Sequence, residues 1–391
     1  MFTRSALRRT LMTTQHLHPP PISSPLRQIS TMTSKSPVVD IHTHVYLPRY
    51  MDLLRSRSEV PRVLTLPSGD ERLVILADEA KHASDTSQGR PIGSEYYDIA
   101  KKMEFMDQHG IDISVISLAN PWLDFLGLGQ AAPMARMLNT DIEKICAESD
   151  GRLFAFGVLP LVEDSLAAST CVKEIETITS TFPHIRGIIL GSRGLGHGLD
   201  DPALDPVYSA LEASGLMIFL HPHYGTGNES FGPRSNGHVL PLALGFPFET
   251  TTSIVRLILS GVLDRFPNLR ILLAHSGGTL PFLAGRLDSC VAHDPQVASR
   301  LKLKPSEYLM KMCYDAVVYH EVGLKATTEL VGEGRVMFGT DHPFFPPLKG
   351  KDGEEWMSVT TNSAAVKAVL GEEGGEGVMG GNAVRILGLD R

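Results

Sequence analysis

The chain has 391 residues, a net charge of −8 and a pI near 6.0, with 42% hydrophobic and 20% charged residues. This length suffices for one large domain, and the acidic balance argues against a nucleic-acid-binding protein, which would carry a basic face. No apolar run is expected to have the length of a membrane span, and the scattered cysteines are typical of an intracellular protein without disulfides.

Residues 1–36 differ in composition from the rest of the chain. Several arginines occur there among many Ser, Thr and Pro residues, and no Asp or Glu precedes Asp40. This composition is typical of a mitochondrial presequence, and equally of a disordered extension or of a translation start placed too early. We expect a cytosolic protein, with mitochondrial import through residues 1–36 as the alternative, and a folded domain over residues 37–391.

From residue 37 onward, short apolar runs alternate with amphipathic stretches. The predicted strands are Val38–His42, Ile113–Ser117, Leu153–Leu159, Gly187–Leu190, Leu216–Leu220, Leu269–Leu273, Tyr314–Val318 and Val336–Phe338. The predicted helices include Glu95–His109, Met134–Glu148, Ser165–Thr181, Pro202–Ser214, Glu249–Arg265 and Leu280–His293. Strand–helix alternation of this kind implies a parallel sheet, and eight units favour an α/β fold of the (β/α)₈ TIM-barrel type over an open sheet.

Two segments do not fit the alternation. Residues 46–93 are too long for a barrel loop, and they are interpreted as an insertion after the first strand, either covering the mouth of the barrel or decorating its periphery. Gly371–Gly381 is rich in glycine and predicts a flexible turn before a short final helix, Ala383–Leu387.

Metal-ligand residues stand at the carboxyl ends of several predicted strands, where barrel enzymes carry their catalytic groups. His42 and His44 point to the same face of the first strand because residues i and i+2 share a face. His221, His275 and Asp341 follow three other strands. The set His42, His44, His221 and Asp341 offers three nitrogens and one oxygen, which suits zinc, and manganese or iron at lower preference.

Two further histidines have open roles. His223 shares a strand face with His221 by spacing, but the turn after Pro222 favours either support of a metal ligand or contact with the substrate over metal binding. His275 precedes two glycines that allow close backbone approach, so it is either a further ligand or a general acid–base. The second role is favoured because four ligands are already supplied, and Asp341 can both bind metal and move a proton.

These motifs together resemble one enzyme superfamily. The segments that carry the resemblance are Asp40-Ile41-His42-Thr43-His44, Leu220-His221-Pro222-His223, Leu273–Gly278, Phe338–Pro343 and Asn382-Ala383-Val384-Arg385. They resemble the amidohydrolase superfamily, and within it the decarboxylase branch typified by aminocarboxymuconate semialdehyde decarboxylase. Finer features, such as Ser117–Trp122 and Asp341–Pro347, are similar to the fungal isoorotate (uracil-5-carboxylate) decarboxylases.

The resemblance implies a mononuclear zinc carboxy-lyase with the four ligands named above, His275 beside the metal, and a dimeric assembly. It implies a small carboxylic acid as the substrate, foremost uracil-5-carboxylate. A hydroxybenzoate-type or aminocarboxymuconate-type acid is the nearest alternative, and a metal-dependent hydrolase of a cyclic amide or lactone is the other. The binuclear hydrolases carry a bridging lysine, whereas Arg186–Leu190 contains none, which favours one metal.

Besides His223, four side chains are candidates for binding the substrate. Asn120 follows the second strand and can pair with a uracil edge through its donor and acceptor. Arg90 and Arg286 carry the forked guanidinium that suits a carboxylate, and Arg286, on a helix, can also serve the site of a neighbouring subunit. Phe344 can stack on a pyrimidine ring. Asp341 is the expected proton donor, with His275 orienting it, and the reverse assignment stays open.

Overall fold

Eight parallel strands follow one another around a sheet in chain order, and a separate three-stranded antiparallel sheet precedes the second of them. The computed structural model describes residues 36–75, 89–234, 236–347 and 356–389. The barrel strands are β1 Val39–Val45, β5 Ile113–Leu118, β6 Leu153–Gly157, β7 Ile185–Gly191, β8 Met217–His221, β9 Arg270–Leu273, β10 Cys313–Asp315 and β11 Val336–Met337. The antiparallel strands are β2 Arg62–Thr65, β3 Glu71–Val74 and β4 Arg90–Ile92. Residues 1–35, most of the predicted N-terminal extension, lie outside the described residues.

Helices connect the strands along the described chain. They are α1 Pro48–Arg55, α2 Ile99–His109, α3 Leu128–Ala147, α4 Ala167–Thr181, α5 Asp205–Ser214, α6 Phe246–Leu259, α7 Val262–Arg265, α8 Leu280–Ala292, α9 Pro295–Ala298, α10 Pro305–Leu309, α11 Glu321–Val331, α12 Met357–Glu376 and α13 Asn382–Leu387. Shorter helical turns occupy Ser94–Tyr96, Pro202–Leu204, Asn228–Ser230, Pro241–Gly245, His275–Gly277, Glu333–Arg335 and Gly377–Gly381. Helices α11 and α12 have no counterpart among the helices predicted from the sequence.

The last strand returns to the first and closes the barrel. The amide of Ile41 donates to the carbonyl oxygen of Phe338 at 3.0 Å, and the amide of His44 donates to that of His342 at 2.7 Å. Thr43 and His342 also form a parallel bridge. The predicted (β/α)₈ architecture is therefore confirmed, with the strand residues buried on both faces as expected for a parallel sheet inside a ring of helices.

The insertion forms a small antiparallel sheet that is separate from the sheet of the barrel. Strands β2, β3 and β4 pair antiparallel, with Arg62 opposite Val74 and Leu73 opposite Arg90. Leu73 and Ile92 are buried in the same apolar core as the barrel residues. Residues 76–88 of the insertion lie outside the described residues.

One apolar helix departs from the expectation that no segment reaches the length of a membrane span. Pro241–Leu259 does so by length and composition, with a mean hydropathy of 1.3 over its window. In the structure this segment lies against the barrel, where Ile254 and Ile258 are buried and Thr251 bonds to Thr279 through their hydroxyl oxygens at 2.8 Å. Packing against the core accounts for the buried part of the segment, whereas Leu244 and Phe248 remain exposed.

The prediction of a flexible turn at Gly371–Gly381 is wrong. The segment is helical on both sides of Gly371, whose φ of 72° interrupts the helix. A Cβ at Gly380 would lie 1.6 Å from the carbonyl oxygen of Pro37, and the amide of Phe338 donates to Val378. Glycine here permits close packing against the base of the barrel, and the short final helix is confirmed as Asn382–Leu387.

A buried lysine supports β1 from beneath. Lys102 is 1% exposed, and its ammonium lies 3.7 Å from the Asp40 carboxylate, 3.4 Å from His342 Nδ1 and in hydrogen-bond contact with the Thr43 hydroxyl. Burial lowers the pKa of Lys102 to about 8 and raises that of Asp40, while each charge partly offsets the shift of the other. Asp40 belongs to the same strand as His42 and His44, so the pair stabilises the strand that carries these two ligands.

We expect Lys102→Met to lower the free energy of unfolding by about 3 kcal/mol, because it leaves the Asp40 carboxylate buried without its cation. The matched control is Lys101→Met, which removes an exposed lysine paired with Glu104 and should leave the free energy of unfolding nearly unchanged. Urea unfolding measures both. Equal losses in the two variants would contradict a stabilising role for the buried pair.

Candidate active site

Three imidazoles converge at the carboxyl end of the barrel, each held through its Nδ1 atom. His42 Nδ1 lies 2.6 Å from Asp315 Oδ2, and His221 Nδ1 lies 2.8 Å from the carbonyl oxygen of Pro222. His44 Nδ1 lies 2.9 Å from the Ser117 hydroxyl, whose own hydrogen is donated to the Thr43 carbonyl. All three acceptors place the proton on Nδ1, which leaves Nε2 of each ring free to bind a metal.

The fourth donor comes from the loop after β11. Asp341 Oδ1 lies 3.4 Å from His42 Nε2 and 3.6 Å from His44 Nε2, and the two imidazole nitrogens are 3.1 Å apart. Ligand atoms about 2.1 Å from one tetrahedral zinc ion would be separated by roughly 3.4 Å. His221 completes the set, because one donor atom from each of the four residues lies within 4.8 Å of the others.

The environment of the four side chains also suits a cation. His221 Nε2 is buried and accepts no hydrogen bond from the described residues, an arrangement that is costly unless a ligand satisfies it. Burial lowers the pKa of His44 to about 4, so this ring is neutral at pH 7. Burial and the neighbouring imidazoles lower the pKa of His221 well below its usual value. A metal site formed by His42, His44, His221 and Asp341 is therefore present.

His42 and Asp341 carry opposite charges when they face each other without a metal. Burial alone would lower the pKa of His42, but the carboxylates of Asp341 and Asp315 outweigh it and raise the pKa to about 10. Burial would raise the pKa of Asp341, but His42 and the hydrogen bonds from the surrounding imidazoles hold it well below its usual value. Metal binding at neutral pH thus displaces a proton from His42.

Asp315 organises this side of the site, and the sequence analysis did not identify it. Its carboxylate is fully buried and accepts hydrogen bonds from His42 Nδ1 and from the amides of His275 and Ser276, at 2.6, 2.8 and 2.7 Å. His275 and Ser276 have φ values of 53° and 50°, an unfavourable backbone conformation for residues with side chains. One carboxylate thus orients a metal ligand and stabilises the turn that carries His275. In the sequence, this role was indicated only by the position of Asp315 as a single acidic residue inside the predicted strand Tyr314–Val318.

His275 lies beside the metal cluster and faces Asp341. Its Nε2 is 3.7 Å from Asp341 Oδ2, the oxygen turned away from the close contacts with His42 and His44. Its ring centroid is 5.0 Å from that of His42 and 5.2 Å from that of His221. The structure therefore brings together both residues predicted to handle the proton.

Phe344 and Arg90 stand near the same cluster. The Phe344 ring lies edge to face with His44, and with Tyr96 on its other side, at 5.6 Å between centroids in each pair. Burial raises the pKa of Tyr96, with Glu95 adding to the shift and the nearby Arg90 guanidinium opposing it. Arg90, on β4 of the insertion, is therefore close enough to act on Tyr96, which in turn contacts Phe344.

Asn120 and His223 are linked to each other. Asn120 is buried, and its side-chain nitrogen donates to the main-chain carbonyl oxygen of His223 at 2.7 Å. The main-chain carbonyl oxygen of Asn120 accepts from the Tyr46 hydroxyl at 2.8 Å. The His223 ring packs on Trp122 and lies 3.3 Å from the Asp124 carboxylate. Trp122 also contacts His221, so its indole ring touches both histidines. The structure places the His223 side chain against Trp122 and Asp124, while Asn120 binds the His223 main-chain carbonyl.

Arg286 lies outside the cluster in the single chain. It is exposed on α8, one turn after Phe282, whose ring is 87% exposed. It forms no ion pair with any carboxylate in the part of the chain that the structure describes. Its side chain is available to another molecule.

The sequence of the chain matches a known protein family. The family model described as amidohydrolase matches residues 39–389. The chain belongs to the amidohydrolase family. It is 30% identical to the 2-amino-3-carboxymuconate-6-semialdehyde decarboxylase of Dictyostelium discoideum, over 90% of this chain and 92% of that protein.

Solved structures agree with this assignment. The apo form of Metarhizium anisopliae IDCase has a TM-score of 0.86 and 45% identity, covering 91% of this chain and 98% of that one. The 5-carboxyvanillate decarboxylase of Novosphingobium aromaticivorans, crystallised with bound manganese, has a TM-score of 0.71 and 21% identity over 90% and 97% of the two chains, which supports the fold. The enzyme is a metal-dependent carboxy-lyase, as predicted.

We expect Asp315→Asn to weaken metal affinity by about 10- to 100-fold, because the new amide nitrogen faces N–H donors and the orientation of His42 is lost. Competition with a chromophoric chelator measures the dissociation constant. Asp150→Asn, the same change at an exposed position, is the control. Unchanged affinity in Asp315→Asn would show that His42 does not depend on this carboxylate.

Proposed function

We propose that the enzyme converts uracil-5-carboxylate (isoorotate) to uracil and CO₂. The observation that supports this substrate most strongly is the 45% identity to Metarhizium IDCase, an isoorotate decarboxylase, across 98% of that chain. The three-imidazole, one-carboxylate donor set supports the reaction class, because a metal held there would supply a Lewis acid next to the reacting carbon.

Zinc is the metal we propose, since three nitrogens and one oxygen in a buried site match its preferred ligands. When bound, the metal polarises the substrate carbonyl next to the carboxylate and stabilises the negative charge that develops as CO₂ leaves. Manganese, the ion in the Novosphingobium enzyme, is the competing ion that metal analysis of the purified protein would distinguish.

The proton that replaces CO₂ comes from the pair formed by His275 and Asp341. His275 Nε2 donates toward Asp341 Oδ2, and Asp341 passes the proton to ring carbon 5. The new C–H bond forms at that carbon, the bond to the carboxylate carbon breaks, and its electron pair stays with the ring. His275 recovers a proton from solvent, which its partial exposure allows.

Other side chains hold the substrate. Asn120 uses its side-chain nitrogen on His223, so its oxygen is the atom that would accept a uracil N–H. Arg90 supplies a cation from the insertion for the substrate's carboxylate or carbonyl oxygen. Phe344, against His44, offers an aromatic face or edge to the pyrimidine ring.

Incubation of zinc-loaded protein with uracil-5-carboxylate should release uracil and CO₂ in equal amounts. Asp341→Asn should lower kcat by about 10³-fold or more, since it removes both the proton carrier and a metal ligand. His275→Asn should lower kcat by about 10²- to 10³-fold while retaining the metal. Chromatography and CO₂ trapping measure the products.

Orotate, which carries its carboxylate on carbon 6, is the matched control substrate and should not react. Faster turnover of 2,6-dihydroxybenzoate than of uracil-5-carboxylate would reject the isoorotate assignment but retain a carboxy-lyase. Hydrolysis of a cyclic amide without CO₂ would reject the proposed chemistry itself.

We further propose that the enzyme acts as a homodimer in which Arg286 serves the partner's site. Phe282 on α8 is 87% exposed, Phe248 on α6 is 40% exposed and Val239, just before Pro241–Gly245, is 67% exposed, which is an unusual amount of large apolar surface. Arg286 lies on the Phe282 face of α8 because the two are four residues apart. A second copy of the chain that covers these apolar side chains would also contact the guanidinium of Arg286.

Mixing Asp341→Asn protein with Arg286→Ala protein tests this arrangement. If Arg286 acts across the interface, random subunit exchange should restore about a quarter of wild-type activity, since half the dimers are mixed and each has one intact site. If Arg286 acts within its own subunit, no activity returns. Phe282→Lys should yield a monomer in sedimentation velocity, whereas a persistent dimer would place the interface elsewhere.

A further inference from the structure

A cavity of about 630 Å³ opens at the amino ends of the barrel strands. Met217, Arg270 and Cys313 are the first residues of β8, β9 and β10, and all three line it. The metal ligands stand at the carboxyl ends of the strands, so this cavity lies on the opposite face of the barrel. In barrel enzymes that face normally contributes stability and no chemistry.

Four cationic side chains surround this cavity, namely Arg270, Lys311, Arg335 and Arg385. Within the described parts of the chain, none of the four forms an ion pair with a carboxylate. The chain as a whole has a net charge of −8, so this concentration of positive charge is local and unneutralised.

The arginines are held in place by main-chain oxygens. Arg270 donates to the carbonyl of Gly215 at 2.7 Å and to that of Ile386. Arg335 donates to the carbonyl of Lys311 at 2.9 Å, and Arg385 donates to that of Gly334 at 2.8 Å. A guanidinium has five N–H donors, so each of the three keeps donors for a ligand in a fixed orientation.

Cys313 does not supply the missing negative charge. Burial raises the pKa of its thiol, and the opposing influence of Arg335, Arg270 and Arg385 is smaller. The thiol is therefore neutral at physiological pH, and the three guanidinium groups lie close enough to act on the same sulfur atom.

We propose that this cavity binds a phosphate monoester. Four convergent cations favour a dianion over a monoanionic carboxylate, and the guanidinium fork matches phosphate oxygens. The volume exceeds that of a phosphate group and falls in the range of small-molecule sites. Apolar side chains supply walls for the organic part of the ligand, namely Met217, Leu269, Ile271, Val331 and Ile386.

The ligand would join α13, which carries Arg385, to the loops preceding β9, β10 and β11. Because it binds the folded chain alone and lies far from the metal ligands, it should raise the melting temperature without changing kcat/KM. This distinguishes the site from the catalytic one, and its existence does not depend on the proposed substrate.

Calorimetric titration of the zinc-loaded full chain with phenyl phosphate and with inorganic phosphate, at constant ionic strength, tests the proposal. Phenyl phosphate should bind at one per chain and more tightly than inorganic phosphate. Lys311→Gln and Arg335→Gln should each weaken binding by about 5- to 10-fold, reduce the rise in melting temperature at a fixed ligand concentration and leave kcat/KM unchanged. Lys173→Gln, an exposed lysine on α4, is the matched control and should bind as the wild type does.

Three results would overturn the proposal. Absence of saturable binding to the wild type would remove the site. Binding that both variants retain in full would place the phosphate elsewhere, as at the metal centre. Benzoate that binds as tightly as phenyl phosphate, with the same sensitivity to Lys311→Gln and Arg335→Gln, would make the site one for carboxylates.

Discussion

The site depends on the hydrogen bonds that join the last barrel strand to the first. The carbonyl oxygen of His42 accepts from the amides of Thr340 and Asp341 at 3.2 and 2.7 Å. Asp40 adds two contacts to Thr340, whose amide and hydroxyl lie 3.0 and 2.7 Å from its carboxylate oxygens. These contacts connect positions 300 residues apart and bring Asp341 beside the two histidines of β1. Closure of the barrel therefore places the fourth metal ligand beside the first two.

Strain at the site is offset by buried carboxylates. Asp341 has a φ of 58°, and the backbone at His275 and Ser276 is also left-handed. Asp315 accepts hydrogen bonds from the amides of His275 and Ser276 and also orients His42, so one buried group sets the geometry of a metal ligand and of the turn that carries His275. Such conformations persist only where the surroundings determine them strongly, which is typical of functional sites.

The two ends of the barrel carry opposite kinds of polar groups. At the carboxyl ends, imidazoles and carboxylates are matched to a cation and supported by Lys102 beneath β1. At the amino ends, three arginines bind main-chain oxygens around a cavity without a described carboxylate partner. Parallel strands separate these two environments by the length of the barrel, so a ligand at one end can stabilise the fold without altering the chemistry at the other.

Much of the architecture and the metal site was predictable from the sequence, because both depend on patterns among residues close together in the chain. Alternating apolar runs indicate the strands, and His42, His44, His221 and Asp341 follow them at the positions where parallel strands share an edge. The residues that orient these ligands were not predictable in the same way. Ser117 and Asp315 are single polar residues in apolar strands, and only the register of neighbouring strands shows which imidazole each one meets.

The sequence by itself determined the fold class and the residues of the metal site, and it predicted His275 and Asp341 as an acid–base pair, since each depends on residue type and on position relative to a strand end. The tertiary structure alone decided that the His223 ring packs against Trp122, that Gly371–Gly381 is helical, and that the basic residues of four distant segments surround one cavity. The physical reason is that these arrangements arise from contacts between segments far apart in the chain, and no local periodicity records them.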